Sequence, residues 1–149
     1  MSIIAIRPFV AADLDPIATL WVESWELTYP AIDFKARRAW FCERIEHHLA
    51  QGVTVLVAEY AGQLAGLVTV DGASGWIDQI VVAAALKGLG VGDALMHAAE
   101  QQTSEPLSLD VNADNARAVS FYRRQGFVEV SEYRNPADAL ILRMQRPRP

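Results

Sequence analysis

The sequence predicts a mixed α/β fold, with a sheet that is antiparallel at first and gains one parallel crossover late in the chain. Two observations carry this. Residues 53–60 and 64–70 are β-branched runs separated by Ala61-Gly62-Gln63, which reads as a tight hairpin, and a second turn at 71–75 continues the meander into a strand at 76–82. A helix then separates that strand from another at 107–112, and strands so connected lie parallel, in a right-handed βαβ unit.

The other elements follow in order. Residues 2–7 read as a strand stopped by Pro8. A helix over 11–25 starts near Ala12 or Asp13, tolerates Pro16 in its first turn, and repeats Leu14, Ile17, Ala18, Trp21 and Trp25 at helical spacing. Trp21 and Trp25 share a face, either as core or as a wall for an acceptor. Pro30 breaks the pattern, so residues 26–33 form a loop, and a second helix over 34–51 carries Trp40, Phe41, Ile45 and Leu49 before Gly52 ends it. His47 and His48 lie near its end without a third ligand at metal-binding spacing, so they read as a solvated helix end and no metal is expected.

The strand at 76–82 leads into a glycine-rich turn and a helix from Val91 to about Thr103, with Leu95, Ala98 and Ala99 facing the sheet. After the strand at 107–112, a polar turn precedes a helix over 116–125, which Gly126 closes. Residues 127–133 and 139–144 are closing strands, and 145–149 read as a frayed tail.

Composition narrows the function. The 149 residues suit one domain with a sizeable core, and 52% are apolar without a membrane-length run. The N-terminal segment lacks the pattern of a signal peptide, and the lone Cys42 cannot form an internal disulfide, which together fit a cytoplasmic location. A formal net charge of −5 argues against nucleic acid as a partner and leaves a neutral or cationic acceptor as the expectation.

The stretch from Ile77 to Met96 carries the chemistry. Gly88, Gly90 and Gly92 alternate with Lys87, Leu89 and Val91, and Asp93-Ala94-Leu95 then opens a helix. Bare backbone N–H groups at a helix N-terminus attract phosphate through hydrogen bonds and the helix dipole. A nucleotide P-loop would need a Gly-Lys pair after the glycines, which is missing. A dinucleotide loop would need a third glycine where Asp93 stands, although Asp110 lies at a suitable distance for a ribose contact.

A third reading rests on two segments together. Lys87-Gly88-Leu89-Gly90-Val91-Gly92 is similar to the acyl-coenzyme A loop of the Gcn5-related N-acetyltransferase (GNAT) family, and Asn115, Ala118, Tyr122, Gly126 and Phe127 resemble that family's next segment. Lys87 stands at the usual Gln or Arg position, and Ala84 where proline is common. The resemblance spans nearly the whole chain and implies a fold with a splayed cofactor cleft. It implies acetyl-CoA as cosubstrate, with the pyrophosphate on the amides of Gly88, Leu89, Gly90, Val91, Gly92 and Asp93. The pantetheine arm would pair with the backbone of Ile80, Val81 and Val82, and Asn115 would face the cofactor. Asp93 is awkward beside a pyrophosphate unless its side chain turns away.

Tyr122 matches the family's general acid. Asp110 matches an acid found in members that acetylate protein N-termini, and it is the candidate base, with Asp78 and water as alternatives. The acceptor would be a primary amine of a small molecule or peptide, entering near residues 25–34 and 133–137, with Tyr29 as a pocket candidate. A homodimer is a common state in the family. A catalytically idle acyl-CoA-binding sensor of the same fold is the alternative function.

Overall fold

The computed structural model describes residues 3–148, so Ser2, expected to open the first strand, lies outside them. Strand β1 is Ile4–Pro8. Pro8 ends it from within, opposite Leu56, which an edge strand tolerates because one of its sides needs no donor. One 3-10 turn, Ala11–Asp13, leads into helix α1, Leu14–Thr28. The buried Asp13 carboxylate accepts the Val10 N–H at 2.8 Å and both Arg7 Nη groups at 2.8 and 2.9 Å. It caps the turn and ties it to β1.

Helix α1 runs three residues past Trp25, the expected end, and the following loop shrinks accordingly. Another 3-10 turn, Lys35–Arg37, precedes helix α2, Arg38–Ala50. Gly52, at φ 78°, takes the left-handed conformation that closes it.

Strands β2, Thr54–Tyr60, and β3, Gln63–Val70, form the expected hairpin. Ala61 and Gly62 both have positive φ (50° and 85°), the primed turn geometry that matches strand twist. The remaining elements are β4 (Ile77–Val82), a 3-10 turn (Ala84–Leu86), α3 (Val91–Glu100), β5 (Leu107–Asn112), α4 (Ala116–Arg124), β6 (Val128–Arg134) and β7 (Leu140–Arg146). Helix α3 stops before Thr103, whose buried hydroxyl instead donates to the Gly72 carbonyl at 2.8 Å and accepts from the Glu105 N–H at 3.0 Å. Gln145 and Arg146 are not a frayed tail: they pair with Ser108 and Leu107, and Arg146 bonds the Glu100 carboxylate and stacks near Phe127.

The strands form two sheets. One is antiparallel in the order β1-β2-β3-β4, and the other is β5-β7-β6. Their connection is one parallel bridge, Trp76 to Ser108, with the Ser108 N–H on the Gly75 carbonyl at 3.0 Å. Gly75 sits at φ 77°, and a Cβ there would lie 2.2 Å from the Pro106 carbonyl oxygen, so only glycine permits this contact. Beyond it the strands part.

A bulge contributes to the parting. Val68 faces Ile80 and Val70 faces Ile77, so Thr69 opposes both Asp78 and Gln79, and its buried hydroxyl receives the Gln79 N–H at 3.0 Å. Bulges increase local twist and bend the bulged strand.

Helices α3 and α4 cover one face through Leu95, Met96, Val119 and the adjacent Phe127, packed on Leu109, Val111, Leu142 and Met144. Helices α1 and α2 cover the other through Ile17, Trp21, Phe41 and Ile45, against Val55, Val57, Leu67 and Val81. Trp21 is therefore core, stacked on Phe41 at 4.7 Å, while Trp25 is partly exposed and stacks on Tyr29 at 5.8 Å. No helix among the described residues is long and apolar enough to cross a membrane.

Candidate active site

The glycine loop closes the distance from β4 to α3. The buried Val91 anchors it, and Leu89 stays exposed. Gly90 precedes α3 in the left-handed region, at φ 91°, and Gly88 is at φ 84°. Among the described residues, none of the six backbone N–H groups from Gly88 to Asp93 has an acceptor; the first to find one is Ala94, on the Gly90 carbonyl. Six consecutive unpaired amides at a helix N-terminus form a nest that fits a pyrophosphate. The Asp93 carboxylate does not intrude, because the Gln125 amide holds one of its oxygens at 2.5 Å, toward the end of α4. Lys87 is half-buried, and burial first, then the charge of Arg117, lowers its ammonium pKa.

Beside the nest runs the gap between the two sheets. Past the Trp76–Ser108 bridge, β4 and β5 share no further pairing, so each presents an unpaired edge to the other. Ile80 and Val82 pack toward the core under α3, and Val81 packs under α1, so their side chains are occupied and their backbone is what faces outward. The Val82 carbonyl accepts from the Ser24 hydroxyl of α1 at 3.1 Å.

Asn115 and Tyr122 lie two turns apart on one face of α4. The Asn115 side-chain oxygen caps the helix by accepting from the Ala118 N–H at 3.3 Å, which leaves its amide N–H groups free. The Tyr122 ring meets Phe121 and Phe127 edge-on at 5.5 and 5.8 Å. Its hydroxyl has no hydrogen-bond partner among the described residues, and because no fully buried polar side-chain atom there lacks one, the oxygen keeps at least some exposure. Burial of the ring pushes the phenol pKa well above its ordinary value. Tyr122 is thus a protonated donor at neutral pH.

The two candidate bases are both held. Asp110 receives Arg143 through Nε at 2.9 Å and Nη2 at 3.1 Å, and also the Tyr133 hydroxyl at 2.7 Å. The Arg143 guanidinium lies over the Trp76 and Tyr133 rings, at 5.0 and 5.9 Å. Asp78 receives Arg44 through Nε and Nη2, both at 2.6 Å, and His48 Nε2 lies at 2.9 Å. Burial raises the Asp78 pKa, but Arg44 and His48 outweigh it and leave the group below its ordinary value. A carboxylate in such a clamp is a poor proton acceptor. His48, expected at a solvated helix end, is drawn in to complete this cluster; only His47 is exposed.

Tyr29 is not a free pocket wall. Its hydroxyl donates to Asp114 at 2.6 Å and accepts from the Asn112 amide at 3.2 Å, pinning the α1–α2 loop to the end of β5. Beside it, Glu26, Pro30, Ile32 and Asp33 line a shallow recess of about 450 Å³. A recess of about 530 Å³ lies elsewhere, on the β1–β2 edge, and touches no residue of the glycine loop.

Sequence reasoning placed Tyr133 at the acceptor entry but not on Asp110, and it missed Arg143 and Trp76. The available signal was Arg143 alone, a charge inside the apolar run at 140–144.

Among curated proteins, none matches the chain significantly. Solved structures do match. The apo form of YjaB from Escherichia coli aligns with a TM-score of 0.76 at 21% identity, over 96% of this chain and 97% of that one. PaiA N-acetyltransferase from Thermoplasma acidophilum, in complex with coenzyme A, gives a TM-score of 0.77 at 20% identity, over 96% and 98%. Ribosomal-protein-alanine N-acetyltransferase from Brucella melitensis gives 0.69 at 24% identity, over 95% and 98%. These likenesses establish the fold. The model of the acetyltransferase (GNAT) domain matches residues 33–146, well over half of the sequence, and the chain belongs to that family.

Proposed function

We propose that this protein transfers the acetyl group of acetyl-CoA to a primary amine, of a small molecule or a peptide N-terminus, by direct attack. The observation that carries this reading is the run of six unpaired amides from Gly88 to Asp93, opening beside an unpaired strand edge. Amides without protein acceptors suit the pyrophosphate, and the edge of β4 at Ile80–Val82 suits the amide-bearing pantetheine arm, which can pair with it as a strand would. Asn115 keeps its amide N–H groups for the same arm.

Acetyl-CoA supplies an activated thioester. The new C–N bond forms as the C–S bond breaks, so the amine must lose a proton and the thiolate must gain one. Tyr122 donates the latter proton: its hydroxyl is protonated and has no partner among the described residues. Asp110 acts as a positioning residue, because Arg143 and Tyr133 occupy its oxygens. The amine's proton leaves through water. PaiA and the ribosomal-protein-alanine enzyme are named N-acetyltransferases, which supports an amine acceptor here.

The test is thiol release from acetyl-CoA across a panel of amines, amino acids and peptides, with equilibrium binding of acetyl-CoA measured in parallel. Binding with amine-dependent thiol release is expected. Binding without release on any acceptor would favour the idle sensor, and an absence of binding would overturn the cosubstrate as well.

A further inference from the structure

We propose that Arg143 determines acceptor specificity by binding a carboxylate, so that the amine this protein acetylates belongs to a free amino acid and not to a peptide N-terminus. The inference rests on the transferase reading above and deepens it by naming the acceptor class.

The two faces of β5 separate cosubstrate from acceptor. Leu107, Leu109 and Val111 are buried under α3 and α4, the helices that bear the amide nest and Tyr122. With a period of two, Ser108, Asp110 and Asn112 point to the opposite face. Asp110 stands opposite Arg143 in the ladder, so Arg143 shares that face. Helices α1 and α2 leave it open: the strand residues buried in their core, Val55, Val57, Leu67 and Val81, all belong to the first sheet. An acceptor that meets a thioester in the slot from the side away from α3 and α4 comes in over this open face, where the Arg143 side chain is 45% exposed.

The guanidinium is fixed at the closed end of the slot. Its Cζ lies 5.0 Å from the centre of the Trp76 ring, and Trp76 forms the bridge beyond which β4 and β5 part. The Tyr133 ring lies at 5.9 Å. Two aromatic rings and the Asp110 carboxylate thus hold a side chain that would otherwise sample many rotamers.

Its donors are only partly used. A guanidinium has five N–H groups, arranged as two bidentate edges. Nε and Nη2 meet Asp110 at 2.9 and 3.1 Å, which occupies the side edge. The end edge, formed by Nη1 and the second N–H of Nη2, has no acceptor among the described residues. That edge fits a second carboxylate in the same planar geometry. Arg44 pairs with Asp78 in the same way, but it stacks on Trp40 of its own helix, over the first sheet. Arg143 joins a free end edge to a place on the open face beside the bridge. A free amino acid carries amine and carboxylate in one small molecule without net charge, which suits a chain at −5. A peptide N-terminus has an uncharged amide where that carboxylate would be.

The experiment is steady-state thiol release from acetyl-CoA with matched acceptors, each common amino acid beside its own carboxamide. The proteins are the parent, Arg143→Gln and Arg134→Gln; Arg134 is an exposed arginine on β6, loosely paired with Asp138, and controls for general charge. The quantity read is the ratio of kcat/KM within a pair, which a merely structural role of Arg143 would not move, because both acceptors meet the same fold. In the parent, at least one amino acid should exceed its carboxamide by about tenfold or more, chiefly through KM. The carboxamide's amine is the less basic of the two and more of it is unprotonated, so the comparison is biased against that result. Arg143→Gln should bring the ratio to within about threefold of one, and Arg134→Gln should keep it. Should the glutamine variant fail to fold, Arg143→Lys keeps a cation for Asp110 but has no second edge, and its ratio should fall likewise. A parent that prefers carboxamides or peptides, an unchanged ratio in a folded Arg143 variant, or the same loss in Arg134→Gln would overturn the proposal. Acetyl-CoA bound without release on any acceptor would overturn the transferase reading and the proposal with it, a result distinct from release without preference.

Discussion

Tyr122→Phe separates rate from stability unusually cleanly. The substitution removes one oxygen and keeps the ring that packs on Phe121 and Phe127. That oxygen has no partner among the described residues, so no internal hydrogen bond there is lost, and urea unfolding should shift by less than about 0.5 kcal/mol. Affinity for acetyl-CoA should also be unchanged. If the hydroxyl protonates the departing thiolate, kcat should fall by about 10²–10⁴, or roughly 3–5 kcal/mol of barrier. Steady-state thiol release with a saturating amine reads this directly. Because the phenol pKa is raised, the acid stays protonated through the ordinary tyrosine range, and loss of the Tyr122 proton should not limit the parent rate below about pH 10. An unchanged kcat in a folded, ligand-binding variant would refute the assignment.

Three other perturbations test separate parts of the structure. Asp78→Ala leaves Arg44 and His48 without their carboxylate; Arg44 is 40% exposed and can be rehydrated, so the cost should be about 2–3 kcal/mol by urea unfolding. The folded Asp78 pKa is depressed, so this contribution is complete at neutral pH, above the unfolded value near ~4, and is lost as pH falls through the folded value; parent and variant should converge in strong acid. Asp110→Asn should lower kcat by less than about tenfold, since water takes the proton, whereas a drop of about 10² or more would make the carboxylate the direct base after all. Gly90→Ala, at φ 91°, should cost about 1 kcal/mol in stability and weaken acetyl-CoA binding at least about tenfold by re-aiming the amides, both readable by calorimetry.

The elements that were legible in the sequence are those set by short-range signals. The hairpin at Ala61-Gly62, the strand Leu107–Asn112 and the glycine loop each announce themselves by β-branched runs and turn residues. The ends of α1 and α3 were not, because Thr28 bonds back within its helix and Thr103 bonds across to Gly72, and no local pattern encodes the second choice. The clamps on Asp78 and Asp110 depend on register and on which strands are neighbours. Arg143 reaches Asp110 only because β7 inserts between β5 and β6. The tail failed for the same reason: Gln145 and Arg146 look polar and terminal, but β5 supplies partners for them.

The single bridge between the sheets also multiplies exposed strand borders. A continuous seven-stranded sheet would have two; this protein has four, at β1, β4, β5 and β6, and the β4 border runs through the apolar Ile80-Val81-Val82. Unpaired apolar borders are templates for self-association. Here the inner two face each other across a slot whose bridge at Trp76 limits how far it can open. A bound pantetheine arm would fill that slot, so the ligand would act as a folding partner as well as a reactant. The ligand-free protein is then the form at risk of aggregation during purification and storage.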